Sequence, residues 1–405
     1  MRRIKFGNSF KHGKPTTSVS NIRSKRQTYR LKKSQTRLLG SIKVREVHLN
    51  LDQDSYSITI GQGILGNLGQ RIVPKTKSDK VTVVADEFVS ERYGDIVLKS
   101  LRDFEFDVQV IQVPSGEENK SLAWFSKIHD TLINHHMDRS STLIALGGGV
   151  IGDLSGFVAA TFMRGISWIQ VPTTLLAQVD ASVGGKTAIN HPKGKNMMGA
   201  FHQPSLVLID VDTLHSLAER DVGSGLVEII KHGVIMDEPL FSLIEKNLTK
   251  ILRLVPEIVI EIIAKSCANK AYVVENDEKE RGLRSTLNYG HTFAHALEVL
   301  TDYNTFRHGE AVAVGMNCAA QLSVNLGILD PSELNRQNTL LQNAGLPIQI
   351  PRIQPENFLE AMYFDKKINH GKLKLILIER LGKVTMRTDI PDNEVLAAIE
   401  KCTAN

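Results

Sequence analysis

Short apolar runs rich in β-branched residues alternate with stretches of helical period through the first half of this chain, and that alternation limits the folds open to it. The runs are residues 81–85, 108–113, 142–146 and 166–171, with helix-period segments such as 122–135 between them. A strand read as a continuous apolar run is one buried on both faces, and such strands come with helices covering a parallel sheet. Residues 206–209 add one more short strand. Ahead of them, residues 44–51 and 56–60 alternate apolar and polar around a turn at 52–55, which predicts a hairpin.

After about Leu214 the texture changes. Helical periodicity dominates residues 222–247, 256–276, 291–300, 310–326 and 333–344. Pro256 fits a first helical turn, and Gly327 and Gly345 fit helix ends. A late hairpin pairs 372–379 with 384–387, and a closing helix follows Pro391. The expected architecture is an N-terminal α/β domain (44–212) with a mostly parallel, Rossmann-like sheet, then a mostly α-helical C-terminal domain (213–405). The cleft between them is the expected ligand site.

Net charge needs dissecting. The chain carries +5 overall, yet residues 1–43 hold thirteen Lys/Arg and no acid, which leaves 36 basic against 44 acidic residues, or −8, in the remainder. A segment this basic and poor in apolar residues is expected to be disordered. It reads first as a dispensable extension, next as an import segment for an organelle, and last as a nucleic-acid arm, since it lacks aromatic interleaving and any folded nucleic-acid motif. No apolar run approaches the ~18 residues of a membrane span. Cys267, Cys318 and Cys402 are scattered without metal-ligand spacing, so buried thiols in a reducing compartment, the cytoplasm, are expected.

The run at 142–146 leads directly into Gly147-Gly148-Gly149-Val150-Ile151-Gly152-Asp153. Gly147, Gly149 and Gly152 match G-x-G-x-x-G after a strand and before a helix. A bare backbone there lets amides approach a pyrophosphate, and the helix N-terminus adds partial positive charge. The acid usually found about 20 residues on, which holds the ribose, is replaced by Val171-Pro172-Thr173-Thr174; acids stand instead at Asp86-Glu87. A dinucleotide bound with different topology from a standard unit is therefore expected, with the Thr173 and Thr174 hydroxyls available to phosphate or ribose.

Arg164, Lys186, Lys193 and Lys195 crowd a Gly- and Ser-rich stretch, which suggests an anionic ligand held by mobile ammonium groups and a forked guanidinium. Gly185-Lys186-Thr187 imitates the end of a Walker A motif, but Asp180 occupies the position of its first glycine, so an ATPase reading is rejected. Glu228 lies on an expected helix. His291 and His295, four apart, share a helix face, and His308 follows. Two imidazoles and a carboxylate make a catalytic divalent-metal set, and spacing leaves open whether His295 or His308 is the second imidazole.

Six ordered blocks carry a closer likeness: GGGVIGD, VPTTLLAQVDASVGGKTAINHPKGKN, GLVEIIKHG, LRSTLNYGHTFAHALE, HGEAVAVGM and Asp365-Lys366-Lys367. Together they resemble the 3-dehydroquinate synthase family from about residue 44 to the C-terminus. The resemblance implies Glu228, His291 and His308 as ligands of one zinc or cobalt ion, with His295 in proton transfer and Glu280, Lys231, Asp180 and Lys186 in supporting catalytic roles. It implies NAD contacts at Asp86, at Ser115, Gly116, Glu117, Glu118, Asn119 and Lys120, and at Gly149, Val150, Ile151, Gly152 and Asp153. These continue at Thr173, Thr174, Lys186 and Lys195, and at Thr213, Leu214, His215 and Ser216. Substrate contacts are implied at Asp180, Asn196, Lys231, Lys270, Arg284 and Asn288, at Lys366 or Lys367, and at Arg164 reaching in from the partner of a homodimer.

The implied reaction converts 3-deoxy-D-arabino-heptulosonate 7-phosphate, a small sugar acid phosphate, to 3-dehydroquinate through transient oxidation, phosphate elimination, reduction and aldol closure. The rivals are another sugar phosphate cyclase of the 2-deoxy-scyllo-inosose or valiolone type, a metal-dependent polyol dehydrogenase, and a silent binding protein that uses its basic tail.

Overall fold

The computed structural model describes residues 44–302, 304–363 and 373–404. The basic segment 1–43 and the pair Lys366 and Lys367 lie outside the described residues. The strands are β1 (Arg45–Leu49), β2 (Tyr56–Gly61), β3 (Lys80–Asp86), β4 (Asp107–Val113), β5 (Thr142–Gly147), β6 (Ser167–Pro172), β7 (Lys186–His191), β8 (Gly194–Phe201), β9 (Leu206–Asp210), β10 (Leu375–Arg380) and β11 (Lys383–Arg387). Among them lie helices α1 (Leu68–Ile72), α2 (Glu87–Arg102), α3 (Leu122–Asn134) and α4 (Gly149–Thr161). Beyond β9 follow α5 (Glu219–Met236), α6 (Glu238–Leu252), α7 (Pro256–Asn276), α8 (His291–Leu300), α9 (His308–Asn325), α10 (Pro331–Asn343), α11 (Pro355–Tyr363) and α12 (Asp392–Cys402).

The main sheet has seven strands in the order β1-β2-β9-β6-β5-β3-β4. Only the β1–β2 hairpin is antiparallel; the remaining pairs run parallel. The period of two along a strand explains why the apolar runs are unbroken. Val81, Val83 and Ala85 of β3 join Val97 and Leu101 of α2 on one face. Val84, with Leu143 and Ala145 of β5, joins Leu132 of α3 and Leu154 and Val158 of α4 on the other. At the β2–β9 end, Ile58, Ile60, Val207 and Ile209 pack against Val227 and Ile230 of α5 and Ile263 of α7, so the helical half is founded on the sheet itself. Each such side chain contributes roughly 1.5–3 kcal/mol when fully buried.

Two segments differ from the sequence expectation. The helical period over 222–247 predicts one helix, but the chain breaks it at Asp237, whose φ of −142° and ψ of 72° are not helical. The Asp237 carboxylate accepts from the Leu240 amide at 3.0 Å and so starts a new helix, and Pro239, lacking an N–H, could not have continued the old ladder. The lysine-rich stretch, for which the sequence predicts no strand, is the antiparallel β7–β8 hairpin. Both faces of β8 are largely exposed, so no alternation of polar and apolar residues announces it.

Candidate active site

The chain leaves β3 for β4 on one side of the sheet and resumes at β5 on the other, which opens a crevice at the carboxyl ends of β3 and β5. Pairing of Ala85 with Leu146 brings Asp86, at the end of β3, level with the glycine turn. Asp86 caps α2 through the Val89 amide and accepts from Ser115 Oγ at 2.7 Å, tying the loop after β4 to the same crevice. Helix α4 begins at Gly149. A Cβ on Gly149 or Gly152 would find its nearest neighbour at 3.6 or 3.7 Å, an ordinary contact, so internal packing does not demand these two glycines. The bare helix N-terminus leaves room for a pyrophosphate, and Asp86 stands at the same crevice. Thr173 donates its amide to the Gly147 carbonyl at 3.0 Å, and Thr174 Oγ1 accepts from Ala177.

Lys120, almost wholly buried, donates to Asp153 of α4 and to Asn196 of β8, pinning the hairpin over the crevice. Burial pushes the Asp153 carboxyl up against the pull of Lys120. From the same loop, Glu117 accepts from Asn190 Nδ2 at 2.8 Å. Below β9, Thr213 donates to the Asp210 carbonyl, and its own carbonyl accepts from Ser216 Oγ and Tyr93 OH. Leu214 is buried and His215 exposed on that turn.

A cavity of about 440 Å³ opens beside this crevice, lined by Asp153, Asp180, Lys186, Asn196, Lys270 and Arg284 among others. Asp180 sits in a π-helical turn, Ala177–Ala181, a local widening that recurs at functional sites. Its carboxylate accepts from Lys270 Nζ, which also donates to the Asp180 carbonyl at 2.6 Å. Burial opposes the charge on Asp180, but Lys270 and then Lys231 hold its carboxyl well below the usual carboxylate range. Arg284 is buried, and its guanidinium donates to the main-chain oxygens of Glu278 and of Gly184, the latter at 3.1 Å. Gly184 is obligatory there: its φ is +97°, and a Cβ would stand 2.5 Å from Arg284 Nη2. Glu280 joins Lys186 to Asn288 by accepting from both side chains, on a backbone with φ of +55°. Left-handed backbone at a charged residue is strain of the kind that functional sites store. Arg164 is exposed on the turn Phe162–Arg164 and contacts none of these groups.

Glu228, fully buried on α5, accepts from Lys231 Nζ through Oε2. Its Oε1 is buried with no hydrogen-bond partner among the described residues, 3.7 Å from His291 Nε2 and 3.9 Å from His308 Nε2. One ligand atom from each of the three lies within 4.8 Å of the others. An orphaned carboxylate oxygen facing two imidazole nitrogens is the donor set of a divalent metal. Outer partners fix both rings: His291 Nδ1 meets the Tyr289 carbonyl at 3.1 Å, and His308 Nδ1 meets Glu298 Oε1 at 3.0 Å. Burial disfavours charge on His308, but the Glu298 carboxylate outweighs it and raises its pKa. His295 lies one turn along α8 with its ring edge-on to His291, centroids 5.7 Å apart, outside the group of three. Close helix contacts make this convergence possible. A Cβ on Gly315 of α9 would lie 2.1 Å from the Gly290 carbonyl at the start of α8, and one on Gly309 would lie 2.1 Å from the Ser224 carbonyl of α5.

Residues 110–224 match the family model described as 3-dehydroquinate synthase N-terminal, and residues 225–368 the one described as 3-dehydroquinate synthase C-terminal. The chain belongs to the 3-dehydroquinate synthase family. A 3-dehydroquinate synthase of Desulforamulus reducens is 46% identical over 356 residues, covering 88% of this chain and 99% of the relative. Among solved structures, the 2-epi-5-epi-valiolone synthase of Streptomyces hygroscopicus subsp. jinggangensis, with NAD+ and Zn2+ bound, superposes with a TM-score of 0.78 at 25% identity, over 86% of this chain and 96% of that one. A 2-deoxy-scyllo-inosose synthase complexed with carbaglucose-6-phosphate, NAD+ and Co2+ superposes with a TM-score of 0.79 at 24% identity, over 88% of this chain and all of the other. This second likeness is one of fold.

Sequence reasoning missed three members of this site. Glu298 closes one of the six blocks, but no spacing marked it, because its approach to His308 depends on how α8 turns back into α9. Gln178, fully buried, donates to the Pro172 and Asp210 carbonyls and to Thr213, binding the ends of β6 and β9 together. His232, buried beneath the cation cluster, meets Ser266 Oγ at 2.7 Å. An apolar helical face is the only setting that sequence offers for the last two.

Proposed function

We propose that this family member converts 3-deoxy-D-arabino-heptulosonate 7-phosphate to 3-dehydroquinate and inorganic phosphate. One continuous polar chain supports the reading. Glu228 holds Lys231, whose charge reaches Asp180; Asp180 holds Lys270; and the cavity beyond Lys270 runs to Asp153 at the glycine turn.

In this reading NAD is held by Asp86, Ser115–Lys120, Gly149–Asp153, Thr173, Thr174, Lys186, Lys195 and Thr213–Ser216, and a zinc or cobalt ion by Glu228, His291 and His308. Bound there, they supply a reversible hydride acceptor and a Lewis acid that acidifies a sugar hydroxyl. The chain's own residues do the rest. Lys270, Arg284, Asn288 and Asn196 clamp the carboxylate and phosphate, with Lys366 or Lys367 and the partner's Arg164 of a homodimer completing the clamp. His295 moves protons at the metal face, and Glu280, restrained by Lys186 and Asn288, moves them across the cavity. Lys231 and Asp180 keep fixed charges in place without reorganisation. Lys120 ties the β7–β8 hairpin across the crevice. Overall one C–O bond to phosphate breaks and one C–C bond closes the ring, with no net change of oxidation state.

No described helix is long and apolar enough to cross a membrane. We place the enzyme in the cytoplasm, with residues 44–212 as its nucleotide half, 213–405 as its metal and substrate half, and residues 1–43 as a dispensable extension. The deciding experiment supplies purified protein with NAD, a divalent metal and the heptulosonate phosphate, and follows phosphate release together with the organic product. Stoichiometric 3-dehydroquinate with no accumulation of NADH is expected. A different carbocycle would assign the chain to a sibling cyclase, and net NADH would make it a dehydrogenase.

A further inference from the structure

The block LRSTLNYGHTFAHALE ends in Glu298, a residue that the reading above leaves without a role. Glu298 lies in the last turn of α8, and His308 opens α9 after the chain has reversed. The glutamate side chain is 12% exposed, and its Oε1 stands 3.0 Å from His308 Nδ1. An ionised carboxylate only accepts hydrogen bonds, so the imidazole nitrogen facing it must carry the proton. That leaves the lone pair of His308 on Nε2, the nitrogen that looks toward Glu228 Oε1.

We propose that Glu298 is a positioning residue of the metal centre: by accepting from Nδ1 it fixes the tautomer and ring orientation of His308, so that Nε2 is presented to a divalent ion. This rests on Glu228, His291 and His308 being the metal ligands. The two imidazoles are oriented differently. His291 leans on the main-chain oxygen of Tyr289, whereas His308 depends on a side chain that substitution can remove. A carboxylate behind a ligating histidine also strengthens its donor character, and loss of such an outer partner typically weakens metal binding by about 10–100-fold.

The test uses the full-length protein stripped of metal and titrated with Co2+ against a chromogenic chelator, with NAD affinity measured in parallel. Glu298→Ala is expected to weaken Co2+ binding about 10–100-fold and to alter the visible spectrum of bound Co2+, while NAD affinity stays at the native value. Glu298→Gln keeps the length and an acceptor oxygen, and is expected to restore Co2+ affinity to within a few-fold of native and to recover the native spectrum. Native Co2+ affinity in Glu298→Ala would overturn the proposal, as would equal losses in the two variants, since Glu298→Gln keeps the acceptor oxygen on which the proposal depends. Glu228→Ala is the control. If it loses Co2+ while Glu298→Ala does not, only the role of Glu298 is wrong; if it retains Co2+, the metal centre itself is misassigned and the proposal falls with it.

Discussion

Lys231 and Glu228 share one buried turn of α5, where the ammonium takes Oε2 and leaves Oε1 turned toward His291 and His308. The lysine thus offsets the carboxylate charge while keeping one oxygen for a ligand. Glu228→Gln should abolish stoichiometric metal retention and turnover. It should also destabilise the metal-free protein, by less than the roughly 3–5 kcal/mol of a wholly unpaired buried charge, because Lys231 loses its hydrogen-bonded carboxylate and keeps only the charge of Asp180. Metal analysis after gel filtration, with urea unfolding of the stripped protein, measures both; full metal content in the variant would refute the assignment.

The contact of Lys120 with Asp153 is also enclosed, and the same rule gives a double-mutant test. Lys120→Met should cost about 3 kcal/mol and weaken NAD binding, since Asp153 loses its partner and Asn196 its tether. Adding Asp153→Leu should recover much of the stability and none of the NAD affinity. Additive stability losses in denaturant titrations would show that the two charges are independent.

His232 predicts how stability responds to acid. Burial first, and Lys231 second, push its pKa from 6.5 down to about 3. The folded protein keeps the ring neutral while the unfolded chain protonates it, so this contribution is complete above pH 6.5 and is lost as pH falls from 6.5 toward 3. The slope is up to ~1.4 kcal/mol per pH unit. His232→Asn should flatten that window by one proton. Unfolding free energies measured across it, with an unchanged slope in the variant, would contradict the account.

Gly315 allows α9 to touch the start of α8 main chain to main chain. Gly315→Ala should destabilise the fold by about 1–3 kcal/mol and separate His291 from His308, weakening metal binding. Native stability and native Co2+ affinity in this variant would mean that the helices can part without consequence.

Deleting residues 1–43 should leave kcat and KM unchanged, because every group assigned to the site lies beyond Val44. Steady-state kinetics of the truncated chain decide the matter, and a large loss of kcat would give the segment a catalytic role.

How much of this could be read from sequence follows from burial. β3 and β5 are enclosed on both faces, so their apolar runs stand out, and the glycine turn between β5 and α4 follows one of them. The β7–β8 hairpin was illegible because neither face of β8 is buried, leaving Lys195 and Asn196 looking like loop residues. The break at Asp237 hid inside a continuous helical pattern, because α5 is buried on every side from Val222 to Ile235 and apolar residues resume at Leu240 and Phe241. Spacing left His295 and His308 level as partners for His291; only the reversal between α8 and α9 brings His308 Nε2 to Glu228 and sets His295 edge-on outside the group.

The π-helical turn at Ala177–Ala181 holds one residue more than a regular coil of the same length would. Removing a single residue there would let the segment rewind as a regular helix and change the direction in which Asp180 leaves the axis, breaking its contact with Lys270. A one-codon deletion could therefore silence the enzyme while sparing every named side chain, a lesion that substitution scanning would never find.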